Sequence, residues 1–287
     1  MILTKRLHGR KIKEKEKMGT KIKKIAQDTF MLTYTPMGVN QFLLVGEQKA
    51  LLIDTGYGKG GLDKKLKKLT SLPLIAANSH LHPDHSNGNF LFESVFVGEA
   101  DLPERGMPSN DLARGVADYY LHNSRIPKAL IGKILKLGLM RPGQEKYLPL
   151  EDVVELGGRS VKVLPCPGHT PGSCLFLDEN TASLFAGDAI NGAFWAFTSP
   201  QTLKEYAEVW ESLKPRLQGV KRLWISHHRA PLDAGYIDAF IKALRTAGAG
   251  ECKPVGIKGT PEQVNIYKVK DEKFGTLTFW AYPSQVR

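Results

Sequence analysis

Asn78-Ser79-His80-Leu81-His82-Pro83-Asp84-His85 follows directly on the apolar run Leu74 to Ala77. Three imidazoles and a carboxylate fall within six residues, where a buried strand opens into a loop. Neutral imidazole nitrogen and carboxylate oxygen suit zinc, iron or manganese. No thiolate stands beside them, which argues against a closed structural zinc finger. A lone core histidine is ordinarily just hydrogen-bonded, but four such groups this close are expensive to desolvate without a cation. Four also exceed the roughly three protein ligands that one catalytic metal takes while keeping a position open for water. The pattern predicts two metals, with further ligands at other strand ends.

Such residues occur further along. Pro167-Gly168-His169-Thr170-Pro171-Gly172-Ser173 places a histidine in a turn between two expected strands. Leu184-Phe185-Ala186-Gly187-Asp188 ends an apolar run with a carboxylate, and Trp224-Ile225-Ser226-His227-His228 ends another with two imidazoles. Each is weak alone. On the N-terminal side, Gly56-Tyr57-Gly58-Lys59-Gly60-Gly61 satisfies G-x-G-x-x-G between a strand and a helix, as a dinucleotide site would. The acidic residue expected at the end of the next strand is missing, since Asn78 stands there, so the glycines read as a tight turn.

Taken in order, Leu52-Ile53-Asp54-Thr55-Gly56, His80-x-His82-x-Asp84-His85, His169, Asp188 and His227 resemble the metallo-β-lactamase-fold hydrolase superfamily, from about Ile25 to Pro231. The resemblance implies an α/β fold: a four-layer αββα sandwich of two mixed β-sheets flanked by helices, with the metals in a shallow groove at one edge. Position by position, it implies that His80, His82 and His169 hold a first metal, that Asp84, His85 and His227 hold a second, and that Asp188 bridges both. Asp54 becomes an outer carboxylate that orients the ligand loop, and His228 a neighbour of the site. Two divalent ions are implied, zinc first, with iron or manganese as alternatives.

A dinuclear site lowers the pKa of bound water toward neutrality, which predicts a bridging hydroxide attacking a carbonyl or phosphorus. Asp84 and Asp188 are then the catalytic carboxylates, Asp84 as a conceivable proton shuttle besides its role as ligand. Asp188 where some lactamases carry Cys, and His85 where they carry Arg, point to the glyoxalase II, lactonase and related esterase branches. The length leaves no room for the extra domain of RNA-processing nucleases or flavodiiron oxidoreductases. Two departures stand out: an enlarged interval from His85 to His169, and no glutathione-binding pattern. The expected reaction is hydrolysis of an ester, thioester or lactone. The alternatives are a phosphodiesterase or nuclease, and a sulfur dioxygenase with one iron on the same scaffold. The aromatic loop Gly192 to Phe197 either lines the groove, favouring an acyl substrate, or packs in the core.

Composition agrees with an enzyme of this size. The chain has 287 residues, 42% of them apolar, which rules out disorder throughout. No apolar run approaches the ~20 residues of a membrane span. The formal charge of +11 is concentrated at one end: residues 1–24 carry ten Lys/Arg and two Glu, against 30 and 27 in the remainder. Such a tail is a weaker nucleic-acid signal than cations spread over a folded face. Residues 1–24 therefore read as a basic extension and 25–287 as the metallo-β-lactamase-like domain, with a helical insert near 100–149. Met18-Gly19-Thr20-Lys21-Ile22 would also suit the start of a first strand. No secretory signal follows the charges, and Cys166, Cys174 and Cys252 have no C-x-x-C spacing, so a reducing cytoplasm is expected. The expected partner is a small-molecule substrate, without a membrane; nucleic acid is not favoured, and a homo-oligomer is left open.

Periodicity supplies the elements. Strands are expected at Gln41 to Val45, Ala50 to Ile53, Leu74 to Asn78, Val95 to Val97, Val161 to Leu164, Cys174 to Leu177, Ser183 to Ala186 and Leu223 to Ser226. Helices are expected at Leu62 to Leu69 and at Leu203 to Leu213, the latter with Thr202 and Glu205 as a capping box. Leu112 to Leu121 and Ile126 to Leu139 read as the helices of the insert. Gln263 to Tyr282 reads as two edge strands.

Overall fold

The computed structural model describes residues 19–35, 38–103, 114–115, 118–119, 145–249 and 251–286. The expected insert helices lie outside these residues apart from 114–115 and 118–119, which are helical. So do His8, His122 and the first 18 residues.

The first sheet contains β1 (Gly19–Ala26), β2 (Thr29–Thr35), β3 (Val39–Val45), β4 (Ala50–Ile53), β5 (Leu74–Ala77), β6 (Ser94–Val97) and β7 (Lys146–Pro149) in that spatial order. The second runs β13-β11-β10-β9-β8, from β8 (Val153–Glu155), β9 (Ser160–Pro165), β10 (Cys174–Asp178), β11 (Ser183–Phe185) and β13 (Arg222–Trp224). A third runs β12-β16-β15-β14, from β12 (Ala193–Trp195), β14 (Glu251–Val255), β15 (Val264–Asp271) and β16 (Gly275–Ala281). The helices are α1 (Leu62–Leu69), the single turn α2 (Pro83–Ser86), α3 (Leu203–Leu213) and α4 (Tyr236–Thr246). Two expectations are thereby corrected. Residues 19–24 are not part of an extension but form β1, paired with β2 from Gly19↔Thr35 onward. The two strands expected within Gln263 to Tyr282 are present as β15 and β16, but they are interior strands of the third sheet, not edge strands.

The layering follows from side-chain alternation, because successive residues of a strand face opposite sides. In β3 and β4, Phe42, Leu44, Leu51 and Ile53 enter a core with Val161, Val163, Cys174, Phe176 and Phe185 of the second sheet. Their neighbours Leu43, Ala50 and Leu52 meet Leu62 and Leu66 of α1 on the other side. The second sheet alternates likewise. Leu175 and Leu177 of β10 turn away from the first sheet, toward Tyr206, Trp210, Phe240 and Leu244 of α3 and α4, in a core shared with Leu277 and Phe279 of β16. The outcome is helix, sheet, sheet, helix, with the third sheet sharing the second helical layer. Helix α3 starts at Thr202, whose hydroxyl accepts from Glu205 N while the Glu205 carboxylate accepts from Thr202 N.

The register brings all chemically significant strand ends to one edge. β4 and β5 are parallel, so Asp54 and the histidine loop leave the first sheet on the same side. β11 and β13 are also parallel, which puts Asp188 and His227 together. β10 runs antiparallel to β11, so the β9–β10 turn carrying His169 reaches the same edge.

A buried ion pair joins the sheets away from that edge. Arg159 donates through Nη2 and Nε to Asp178, at 2.6 and 3.3 Å, and through Nη1 and Nη2 to Asp28 O, Val45 O and Thr29 Oγ1 at the β1–β2 turn and β3. Asp178 is wholly buried. Breaking such a pair strands a charge, so Asp178→Ala should destabilise the fold by about 3–5 kcal/mol. Urea denaturation of the variant checks this, and a loss below ~1 kcal/mol would show that the pair is dispensable.

Candidate metal centre

Asp54 ends β4 in a left-handed conformation with φ 64°, a region that Asp tolerates better than most residues. Its carboxylate accepts from Ser79 N at 2.7 Å, from Ser79 Oγ at 2.9 Å and from His85 Nδ1 at 2.8 Å. It therefore fixes both ends of the histidine loop from beneath. Pro83 then opens α2 after His82, so that Asp84 and His85 turn back toward the sheet edge. Gly56 and Gly58 both have positive φ, as a tight turn requires, and the turn leads into α1 as the glycine pattern implied.

Three sets of ligand atoms lie within 4.8 Å of one another: His80, His82 and His169; Asp84, His85 and His227; and His80, His85 and Asp188. In the first, His82 Nδ1 is 3.1 Å from His80 Nε2 and 2.9 Å from His169 Nε2. In the second, Asp84 Oδ2 is 3.5 Å from His85 Nε2 and 3.4 Å from His227 Nε2. Asp188 Oδ2 reaches the same two nitrogens at 3.6 and 3.0 Å. All seven expected site residues thus converge, with Asp188 touching the second set and sharing His80 and His85 in the third. His228 belongs to none of the sets; its Nδ1 faces Ala230 O at 2.7 Å.

The two triads differ in charge. Burial, with the neighbouring histidines, pushes His80 well below its ordinary range. Burial likewise lowers His82 to about 4, against the pull of Asp84, and His169 to about 3. These rings are neutral at pH 7 and offer lone pairs. Around Asp188 burial is outweighed: Asp84, Asp54 and Asp188 raise His85, and Asp188 and Asp84 raise His227 to about 10. The same imidazoliums hold Asp84 and Asp188 well below the carboxylate range despite burial. His85 Nε2 and Asp188 Oδ1 are buried without a hydrogen-bond partner. Buried polar atoms of this kind are costly unless something else satisfies them. A divalent cation fits both, being held by deprotonated His and carboxylate at the expense of their protons.

Outer contacts orient the remaining ligands. His169 Nδ1 faces Trp195 O at 3.1 Å, leaving Nε2 for the cluster. Buried Asn40 of β3 donates to Ile225 O at 3.3 Å and to His228 O at 2.7 Å, pinning the loop that carries His227. Its sequence context carried no motif. Tyr57, read as a turn residue, is 8% exposed beside Tyr34, and burial together with Asp84 and Asp188 raises its hydroxyl pKa. Of the aromatic loop, Phe194 is core and stacks on Tyr206, whereas half-buried Trp195 lies against Phe197 and Trp280 on the other face.

The model for the Metallo-beta-lactamase superfamily matches residues 34–227. The chain is 28% identical over 192 residues to the acyl-coenzyme A thioesterase MBLAC2 of Bos taurus, covering 61% of this chain and 66% of that protein. It is 28% identical over 178 residues to a hydroxyacylglutathione hydrolase of Hyphomonas neptunium, covering 58% and 54%. The matched stretch therefore spans less than two thirds of either relative. Among solved structures, a metallo-beta-lactamase from Pontibacter korlensis superposes with a TM-score of 0.54 at 18% identity, covering 79% of this chain and 99% of that one, a likeness of fold.

The lowered pKa values carry a pH consequence for the metal-free protein. His82 and His169 stay neutral in the fold but take protons near 6.5 when unfolded, so their contribution is complete above pH 6.5 and is lost as pH falls toward 4 and 3. The thermal midpoint measured in chelator should fall between pH 6.5 and 4.5, and less steeply in His82→Gln. Equal slopes would contradict the assignment of these rings as neutral.

Proposed function

Because the chain belongs to the metallo-beta-lactamase superfamily, we propose that it hydrolyses a carboxylic ester, thioester or lactone on two divalent cations, zinc first. The observation that carries this reading is the pair of triads, three neutral imidazoles on one side and Asp84, His85 and His227 on the other, with Asp188 between them. In it, His80, His82 and His169 would hold one ion and Asp84, His85 and His227 the other, with Asp188 available to both. Paired divalent ions supply Lewis acidity at the substrate oxygen and a nucleophilic water near neutral pH.

The protein's own groups do the rest. Asp54 keeps His85 and Ser79 in register through its three hydrogen bonds. His169 is held in one tautomer by Trp195 O. Asp84, with a quarter of its side chain exposed, is placed to pass a proton between the cluster and solvent. Tyr57 packs with Tyr34 and Val39 within electrostatic reach of Asp84 and Asp188.

Thioester and ester substrates are favoured over phosphodiesters on two grounds. The bovine relative is named an acyl-coenzyme A thioesterase. Outside residues 1–24, Lys/Arg and Asp/Glu nearly balance at 30 against 27, a weak electrostatic signal for a polyanionic phosphodiester.

Metal-loaded protein is assayed against p-nitrophenyl acetate, a short acyl-coenzyme A, a lactone and bis-p-nitrophenyl phosphate, with metal content measured on the same preparation. Turnover of an acyl substrate with two ions per chain is expected. Cleavage of the phosphodiester alone, or one iron per chain with oxygen consumption, would overturn the reading. His82→Ala should lose one ion and more activity than the roughly 10–100-fold that removing an outer partner costs, while remaining folded. Full metal content in that variant would reject its role as ligand.

A further inference from the structure

Asp101 ends the short turn Glu99–Asp101 that follows β6, and it is only 7% exposed. Its carboxylate accepts three hydrogen bonds, each from a loop that carries cluster histidines. Leu81 N, between His80 and His82, donates to Oδ2 at 3.3 Å. Thr170 Oγ1, next to His169, donates to Oδ2 at 2.7 Å, and Gly172 N donates to Oδ1 at 2.7 Å. One loop leaves the first sheet after β5 and the other joins β9 to β10 in the second. The contact is close enough to require glycine: a Cβ on Gly98 would stand 2.0 Å from Gly172 O, and one on Gly172 would stand 2.4 Å from Asp101 N. Cys174 N donates to Ser79 O at 2.8 Å alongside, so the loops meet as a packed joint.

We propose that Asp101 is a positioning residue for the His80, His82 and His169 triad, setting the separation of its two loops and so the affinity of that triad for a divalent cation. The inference rests on the metal-site reading given above. His80 and His82 come from one sheet and His169 from the other, so their mutual distance is a property of the joint. No ligand bond is needed for Asp101 to act: it holds the backbone on both sides of the triad as an outer partner holds a ligand ring. Asp54 holds the two ends of the histidine loop, at Ser79 and His85, and Asp101 its middle, at Leu81, which divides the work between two buried carboxylates.

Zn2+ affinities of the full chain are measured by competition with a chromophoric chelator, alongside the thermal midpoint of the metal-free protein. Asp101→Ala should weaken one of the two ions by about 10–100-fold and leave the other unchanged. Asp101→Asn, which keeps one acceptor oxygen and the shape, should fall between that variant and the parent, and it carries the test if the alanine variant does not fold. If the parent binds two ions and both variants match its affinities, the positioning role is wrong while the metal-site reading stands. Weakening of both ions in step with a lowered midpoint would also overturn it, as the mark of a merely structural residue. A parent chain that takes up no Zn2+ would overturn both.

Discussion

Bringing five imidazoles and two carboxylates together in a mostly buried cluster is the constraint on which the rest of the molecule depends. Such a cluster gains nothing from the hydrophobic effect and costs desolvation for every member. It persists because its surroundings are rigid: two sheets packed through Phe42, Phe176 and Phe185, each backed by helices, present their strand ends along one edge. Parallel pairing of β4 with β5 and of β11 with β13 is what makes those ends coincide.

The cluster is also divided electrostatically. On the first-triad side, burial strips protons from His80, His82 and His169; on the Asp188 side, ion pairing keeps protons on His85 and His227. Cation uptake is therefore expected to replace protons on one side and to use ready lone pairs on the other. Buried polar residues from both sheets hold this arrangement. Asp54 supports the histidine loop, Asn40 the loop of His227, and Asp101 joins the loops of His80 and His169. Tyr57 lies within electrostatic reach of Asp84 and Asp188, and the Trp195 carbonyl orients the His169 ring.

Much of this was legible in the sequence where a local rule decides the structure. The helix α3 announces itself by Thr202, Glu205 and an apolar stripe, and α1 by leucines against lysines. The ligand residues could be named because His and Asp at strand ends are chemically distinctive. Helix α4 was missed although Ile237, Phe240, Ile241 and Leu244 have helical spacing; it starts at Gly235 with no capping side chain. Of the third sheet, β15 and β16 were legible as strands within Gln263 to Tyr282, but their assembly into a sheet was not. β12 is three residues long and pairs in parallel with β16, more than eighty residues away, a contact that no local pattern encodes. Asn40 and Asp101 likewise act only through long-range hydrogen bonds, so nothing in their immediate context marked them. The division at residue 24 followed the lysine run, but Lys21, Lys23 and Lys24 lie exposed on a paired strand, where charge does not prevent pairing.

The central claim, two cations sharing Asp188, is tested most directly by anomalous diffraction from crystals of the zinc-loaded protein at the zinc edge. Two peaks are expected, one among His80, His82 and His169 and one among Asp84, His85 and His227, each within bonding distance of Asp188. A single peak, or two peaks away from these side chains, would contradict it.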